Sequence, residues 1–204
     1  MQLVTALGLT IPPSVLILRW VAAVVLLLEL PVPFYWFILY PNSNYWRTRL
    51  ALLSWPMIAI LLAVFRNQIF VTAFPRYWEM FAGMAAILLE FWLIVQAKRA
   101  LGLSRLVGKT EMDGCDEIES GGIYARMRHP RYGGMIVAVV GAGLLSATTT
   151  LWIVLAIWTL LVLAAVLLEE RDLERRFGTA YLDYCRRMPR FVPNRFRARV
   201  GWPK

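Results

Sequence analysis

The sequence is poor in charged residues, in cysteine and in histidine. Charged side chains make up 17% of its 204 residues, against about a quarter in an average soluble domain, and 59% of its residues are hydrophobic. This composition argues against a soluble fold. Two cysteines are too few for a disulfide scaffold, and with a single histidine they supply no ligand set for a zinc site. Nine Trp, ten Phe and eight Tyr exclude intrinsic disorder.

Several motifs of soluble enzymes and repeat proteins are missing as well. The sequence contains no glycine-rich phosphate loop, no G-x-S-x-G nucleophile elbow and no repeat of about 20 to 50 residues. Any chemistry must therefore come from residues at the borders of its apolar segments.

Five apolar runs approach the length that crosses a bilayer, about 20 residues. Pro31 and Pro33 predict a bend in the first run, and the three threonines at 148–150 predict that the last two runs form an antiparallel hairpin. We expect residues 1–204 to form a single all-α membrane domain, a bundle of about five transmembrane helices. The runs cover about Val15 to Tyr40, Leu50 to Phe65, about Tyr77 to Val95, Tyr132 to Ala147, and Leu151 to Leu168.

Positive charge is divided unevenly between the two ends of these runs. If the chain starts outside, the segments that face the cytosol hold nineteen of the 22 Lys and Arg residues, and only Arg19, Arg66 and Arg76 lie outside. This asymmetry predicts an outside N-terminus and a cytosolic C-terminus. Because the cations border the helices and are not interleaved with stacking aromatics, they favour contact with anionic lipid headgroups over nucleic-acid binding.

Polar residues concentrate from Gly121 onward, where the chain reads Gly-Gly-Ile-Tyr-Ala-Arg-Met-Arg-His-Pro-Arg-Tyr-Gly-Gly directly before the fourth run. Pro130 suits the first helical position, which places His129 at the mouth of the helix. The helix N-terminus, with Arg128 and Arg131 beside it, favours an anion. Four residues without side chains permit close helix packing, the commoner cause, or the approach of a flat ligand: Gly133, Gly134, Gly141 and Gly143.

Carboxylates mark the same side of the predicted bundle. Glu169 and Glu170 end the fifth run, and they form either a solvated helix end or a site with partners. An apolar stripe with spacings of 4, 4, 3 and 4 follows them and predicts a cytosolic amphipathic helix, made of Leu173, Phe177, Tyr181, Tyr184 and Met188. Inside the runs, Glu29 and Glu90 are functional candidates by default, and a hydrogen bond between helices is the alternative for Glu90.

Five separated elements occur in a fixed order in the second half of the chain. They are Gly122-Ile123-Tyr124, Arg128-His129-Pro130-x-Tyr132-x-Gly134, Glu169-Glu170, Phe177-Gly178-x-x-Tyr181-x-x-Tyr184, and Arg187-x-Pro189-Arg190-Phe191-x-Pro193. Together they resemble the isoprenylcysteine carboxyl methyltransferase and phospholipid methyltransferase family, and the likeness extends over about residues 96 to 193. Spans one to three, in residues 1–95, precede it. About five spans fit the small prokaryotic members, which implies the inner or plasma membrane of a prokaryote.

The resemblance implies an integral membrane methyltransferase that uses S-adenosylmethionine, held at the cytosolic face between the Arg-His-Pro segment and the paired glutamates. No metal is implied. The C-terminal motif, with Tyr181, would close the site near the acceptor, and its catalytic candidates are Tyr184, Arg187 and Arg190. Carried over position by position, the cofactor candidates are Tyr124, Arg128, His129, Pro130, Tyr132, Gly134, Glu169 and Glu170.

The acceptor of the methyl group stays open at this point. A prenylated cysteine carboxylate, a phospholipid amine, a small thiol or another lipophile are all compatible, with membrane lipids as surroundings and the oligomeric state undetermined. Two other functions compete with methyl transfer, namely an NADPH-dependent membrane lipid or steroid reductase and a non-catalytic membrane adaptor. Cys115 and Cys185 fall on the cytosolic side, where thiols stay reduced, and we expect both to be unpaired and without function.

Overall fold

Helices make up almost all of the part of the chain that the structure describes. The computed structural model describes residues 13–34, 52–70, 76–106, 118, 120–146 and 149–192. The predicted all-α class is confirmed. Its helices are α1 (Pro13–Glu29), α2 (Ser54–Val64), α3 (Arg66–Ile69), α4 (Tyr77–Leu106), a 3₁₀ helix (Gly122–Ala125), α5 (Pro130–Ser146), α6 (Thr149–Phe177) and α7 (Thr179–Arg187).

Three of the described helices are long and apolar enough to cross a membrane: Leu16–Phe34, Tyr77–Gly102 and Thr149–Phe177. Two further apolar helices, α2 and α5, are shorter. Each predicted run therefore coincides with a helix, although a total of five crossings stays a prediction. The end of the first run, at 35–40, and the start of the second, at 50 and 51, lie outside the described residues.

Many large apolar side chains lie on the outside of these helices, and several alanines are among the residues buried inside. Trp20, Phe81 and Leu160 are each at least 66% exposed, whereas Ala22 and Ala165 are fully buried. Water would penalise so much exposed apolar surface, but hydrocarbon does not. Small buried residues let helix backbones approach closely, as in membrane helix packing.

Helix α4 is longer than the apolar run that predicts it. It starts after Arg76, whose backbone amide donates a hydrogen bond to the Glu79 carboxylate over 2.6 Å. The run was expected to end near Val95, but the helix continues to Leu106, with a kink at Gly102 where φ is +74°. Polar side chains such as Gln96 and Lys98 end the hydrophobic pattern without ending the helix, because they are good helix formers.

The predicted continuation of the fifth span past the glutamates is confirmed as far as Phe177, but the single amphipathic helix expected over residues 173–188 is wrong. Gly178 adopts a φ of +55° and separates α6 from α7. Its amide still donates to the Glu174 carbonyl over 2.9 Å, which closes the last turn of α6. Glycine tolerates this left-handed conformation, so the break is encoded at a single residue.

The described residues divide into two compact units. The first comprises those within Met1–Leu88 and Val137–Val162. In this unit, a Cβ added at Gly141 would lie 2.8 Å from the Gly83 carbonyl oxygen. Trp158 Nε1 donates to the Leu30 carbonyl over 3.1 Å, directly before Pro31. The short distance between Gly141 and the Gly83 carbonyl shows that Gly141 serves close helix packing.

The second unit comprises the described residues within Leu89–Ile136 and Leu163–Lys204. Its core is a buried cluster of Leu93, Ala97, Ile123 and Met127, with Tyr124 packed against it. This cluster attaches the 3₁₀ helix to α4. All the cofactor and catalytic candidates that the family resemblance implies fall within this unit.

Candidate functional site

The Arg-His-Pro segment is held by the turn before it and the helix after it. In the 3₁₀ helix, the Tyr124 amide donates to the Gly121 carbonyl over 2.9 Å, and the buried side chains of Ile123 and Met127 fix its position. Helix α5 then begins at Pro130, as predicted. His129 therefore stands immediately before the first turn of α5.

Residues 189–191, which we call the C-terminal strap, pair with this segment through their backbone. The amide of Arg128 donates to the Pro189 carbonyl over 2.8 Å, and the amide of His129 donates to the Arg190 carbonyl over 2.9 Å. Phe191 packs over Gly133, where an added Cβ would lie 3.6 Å from the ring. The strap thus joins two of the motifs that are about 60 residues apart in the sequence.

One carboxylate, that of Glu170, gathers basic side chains from two segments. Arg190 binds Glu170 in a bidentate manner, with Nε 3.0 Å and Nη2 2.8 Å from Oε2. Arg128 Nη1 lies 2.8 Å from Oε1, and His129 Nε2 lies 3.2 Å from the same oxygen. We call these four residues the Glu170 cluster. The paired glutamates were expected to form either a solvated helix end or a site with partners, and Glu170 has partners.

The Glu170 cluster carries more positive than negative charge. Two guanidinium groups face one carboxylate, and Glu170 is buried while Arg190 remains about half exposed. Hydrogen bonds to Glu170 raise the pKa of the Arg190 guanidinium above its ordinary value, so this group stays charged. An additional anion would therefore be favoured beside the cluster.

His129 is buried against aromatic rings. Its ring lies 5.8 Å from that of Tyr132 in an edge-on arrangement and 6.3 Å from that of Phe191. Its Nε2 donates to Glu170 when it carries the proton. The predicted site residues Tyr132, Pro130 and His129 are thus neighbours around the start of α5.

Cys185 and Tyr181 lie in this site, although the sequence predicts that Cys185 is an unpaired thiol without function. Arg128 Nη1 donates to the Cys185 sulfur over 2.8 Å, and the thiol forms no disulfide. A usable signal exists, since Cys185 is four residues after Tyr181 and lies on the same face of α7. Cys115 lies outside the described residues.

The two tyrosines of α7 are both buried but differ in their partners. Tyr184 donates its hydroxyl proton to the Tyr124 carbonyl over 2.7 Å. The Tyr181 hydroxyl is buried beside the Cys185 thiol. Burial, followed by the neighbouring Cys185, raises the pKa of the Tyr181 phenol above its ordinary value. This hydroxyl is therefore a donor and not a phenolate.

The remaining predicted residues occupy different positions. Glu169 is half-buried, and its Oε2 has no partner within the described part of the chain. Gly134 lies against Glu90, whose Cγ would be 3.2 Å from an added Cβ, and Glu90 is buried. Arg187 is exposed in the last turn of α7. Glu29 is buried in the first unit.

Comparisons with known proteins identify the family of the chain. Residues 78–180, about half of the chain, match the phospholipid methyltransferase family. The chain belongs to this family. The matched region contains α5, most of α4, all of α6 and the whole of the Glu170 cluster except Arg190.

Three curated relatives share partial similarity with the chain. The nickel-cobalt-cadmium resistance protein NccN of Alcaligenes xylosoxydans xylosoxydans is 36% identical over 77 residues, which cover 38% of this chain and 36% of that protein. Methanethiol S-methyltransferase 2 of Bradyrhizobium diazoefficiens is also 36% identical over 77 residues, with 29% of that protein covered. Methanethiol S-methyltransferase 1 of the same organism is 37% identical over 71 residues, or 35% of this chain and 24% of that protein. The chain thus spans about a third or less of the length of these relatives, and no solved structure matches it significantly.

Proposed function

We propose that this protein transfers a methyl group from S-adenosylmethionine to a lipophilic or membrane-associated acceptor at the cytosolic face of the membrane. The observation that carries the proposal is the Glu170 cluster. It assembles Arg128, His129 and Arg190 around a carboxylate within α6, one of the three helices long enough to cross a membrane. Membership of the phospholipid methyltransferase family supports methyl transfer as the reaction.

The residues present fit the cofactor. S-adenosylmethionine carries a carboxylate, an ammonium, a ribose diol, an adenine and a sulfonium. Arg128 Nε and Glu169 Oε2 are both buried without a partner among the described residues, and they offer one donor and one acceptor. The excess positive charge of the Glu170 cluster suits the cofactor's carboxylate. Glu169 or Glu170 would accept hydrogen bonds from the ammonium or the ribose hydroxyls.

The bound cofactor would supply an electrophilic methyl group on a positively charged sulfur. The chain contributes binding, orientation and exclusion of water, which carry most of the catalysis in an in-line displacement. The C-terminal strap and the buried tyrosines of α7 would shield the reacting centre from water. Arg190 is held by Glu170, and Arg187 is exposed in the last turn of α7, so Arg187 is the residue proposed to orient an acceptor.

The position of Glu170 supports one acceptor class. Glu170 lies within α6, a helix long and apolar enough to cross a membrane, which suits an acceptor that partitions into the bilayer, such as a prenylated cysteine carboxylate or a related lipid. Two of the relatives are methanethiol S-methyltransferases, so a thiol belongs to the same set. A carboxylate or a thiolate needs no general base, whereas an amine must first lose its proton.

Calorimetric titration of the detergent-purified chain tests the proposed function. We expect S-adenosylhomocysteine to bind and NADPH to give no binding heat, because the alternative reductase would bind NADPH. His129→Ala should weaken S-adenosylhomocysteine binding about tenfold, since it removes a contact to Glu170 and the ring between Tyr132 and Phe191. Binding of NADPH in place of S-adenosylhomocysteine would refute methyl transfer.

A further inference from the structure

The segment that carries the Arg-His-Pro motif has little regular structure of its own. Its 3₁₀ helix covers only four residues, and short 3₁₀ helices have poor hydrogen-bond geometry. On one side the segment is held by apolar contacts, since the buried Ile123 and Met127 belong to the cluster on α4. Apolar contacts are not directional, so they fix the backbone but do not determine where the Arg128 guanidinium points.

Two consecutive side chains of α7 hold the same segment by directional bonds. Tyr184 donates its hydroxyl proton to the Tyr124 carbonyl over 2.7 Å. Cys185 accepts a hydrogen bond from Arg128 Nη1 over 2.8 Å. The two bonds reach positions four residues apart in the chain, so α7 holds the segment from Tyr124 to Arg128 at both ends.

Arg128 Nη1 is the atom through which Cys185 acts on the site. The same nitrogen lies 2.8 Å from Glu170 Oε1, so the thiol of α7 and the carboxylate of α6 share it. A guanidinium Nη carries two protons, one for each acceptor. One acceptor leaves the planar guanidinium free to turn about that bond, whereas two acceptors fix its plane and the directions of its other donors. One of these donors is the buried Nε, which has no partner among the described residues.

Tyr184 commits its hydroxyl proton to the backbone. The side chain is buried, and a phenol carries a single proton, which the Tyr124 carbonyl receives. In this arrangement Tyr184 does not offer that proton to an acceptor, although the family resemblance makes it a catalytic candidate. The neighbouring Tyr181 has its hydroxyl beside the Cys185 thiol, so the thiol is itself held within α7.

We propose that Tyr184 and Cys185 are positioning residues, which hold the segment from Tyr124 to Arg128 so that the Arg128 guanidinium stays directed at Glu170 and at the cofactor. The assignment rests on the proposed function, in which Arg128 binds S-adenosylmethionine. Cys185 is not a position of the family motif, so the resemblance gives it no role. Neither residue needs to touch the reacting atoms, because both act through Arg128 and its backbone.

A pair of substitutions at Cys185 tests whether its sulfur works as an acceptor. Cys185→Ala removes the acceptor, and Cys185→Ser keeps one. By calorimetry on the full chain, Cys185→Ala should weaken S-adenosylhomocysteine binding about tenfold, as expected for a hydrogen bond to a charged group, and Cys185→Ser less than about twofold. Asp183→Asn, at an exposed position of the same helix, is the control and should leave the affinity unchanged.

A double-mutant cycle with Arg128→Lys separates positioning from packing. An ammonium is a compact charge without a plane, so its direction does not depend on a second acceptor. In the Arg128→Lys background, Cys185→Ala should therefore cost less than about twofold in affinity. Tyr184→Phe should weaken binding about threefold in the unaltered chain, as expected for a neutral hydrogen bond, and less in the Arg128→Lys background.

The outcomes distinguish this proposal from the proposed function. If Cys185→Ser weakens binding as much as Cys185→Ala, or if the losses multiply in full in the Arg128→Lys background, the positioning role is refuted while methyl transfer stands. Should Tyr184→Phe fail to fold because its side chain is buried, the two Cys185 variants decide. Failure of the unaltered chain to bind S-adenosylhomocysteine would refute both proposals.

Discussion

Glu170 shows how one residue can organise a site at the end of a membrane helix. Its carboxylate is buried, and it receives Arg128, His129 and Arg190 from segments before α5 and after α7. Breaking a buried ion pair by removing one partner is costly, because the other partner keeps its charge without compensation. A substitution of Glu170 is therefore expected to change both ligand binding and the free energy of unfolding, and both quantities must be measured.

Glu170→Gln keeps the shape of the side chain but removes its charge. We expect it to lower the free energy of unfolding by about 3 kcal/mol and to weaken S-adenosylhomocysteine binding, since Arg128 and Arg190 lose their counter-charge. Denaturant titration in detergent measures the first effect and calorimetry the second. Asp172→Asn is the control. Asp172 pairs with Arg176 on an exposed face of α6, so its loss should cost less than about 1 kcal/mol. Equal costs for the two variants would contradict this account of Glu170.

Much of the site could be predicted at the residue scale, and the reasons for the rest are physical. Arg128, His129 and Glu170 lie at the ends of apolar runs, and hydropathy predicts that these ends share one side of the membrane. The bidentate contact of Arg190 depends on a backbone pairing between the strap and residues 128 and 129, which no local pattern encodes. Cys185 was missed because a lone cysteine carries no signal by itself, and its signal lies only in its position four residues after Tyr181 on the same face of α7.

At the scale of helices, single residues decide where elements begin, end and cross. Pro130 starts α5 because a helix needs no donor at its first position, and this is readable from the sequence. The end of α4 is not readable from hydropathy, since its polar residues remain helical past the apolar run. Gly178 divides two helices that share one apolar stripe, and periodicity alone cannot reveal a change of φ.

The approach of α4 and α5 at Gly83 and Gly141 gives a stability prediction. Gly141→Ala places a methyl group 2.8 Å from the Gly83 carbonyl oxygen, a backbone atom that cannot rotate away. We expect a loss of about 1 to 3 kcal/mol, typical of overpacking, measured as a lower melting temperature in detergent.

Gly143→Ala serves as the comparison for this contact. Its methyl group would meet the outer edge of the Trp152 ring at 2.9 Å, a side chain that can shift. The gain in helix propensity, up to about 1 kcal/mol, would also offset part of the cost. A melting temperature for Gly141→Ala equal to or above that of Gly143→Ala would refute close backbone packing at Gly141.

For the whole molecule, composition is sufficient to predict the fold class, but it does not predict the number of membrane crossings or their orientation. A long apolar run must satisfy its backbone hydrogen bonds internally, so a helical membrane protein is the only outcome compatible with this sequence. The number of membrane crossings is harder to predict, because α2 and α5 are shorter than the thickness of the hydrocarbon core requires. Orientation is predicted from the distribution of Lys and Arg, because these residues act through membrane insertion and not through packing within the fold.

Cysteine labelling of intact cells tests the proposed orientation. In a background with Cys115 and Cys185 replaced by serine, Arg66→Cys in α3 should react with a membrane-impermeant maleimide. Arg186→Cys, at an exposed position of α7, should react only after the membrane is permeabilised. Both residues are exposed in the structure, so a difference in labelling reports the side of the membrane and not a difference in burial. The opposite labelling pattern would reverse the topology.

The final prediction concerns how the acceptor reaches the site. A lipophilic acceptor loses about 0.8 kcal/mol for each CH₂ withdrawn from the bilayer, so we expect it to enter from the membrane while the water-soluble cofactor enters from the cytosol. The ratio kcat/KM should then rise with acceptor chain length. Arg187→Ala should lower turnover more than cofactor affinity, because Arg187 is exposed in the last turn of α7, within the C-terminal motif proposed to close the site near the acceptor. A flat or falling chain-length series would instead identify a small aqueous acceptor such as a short thiol.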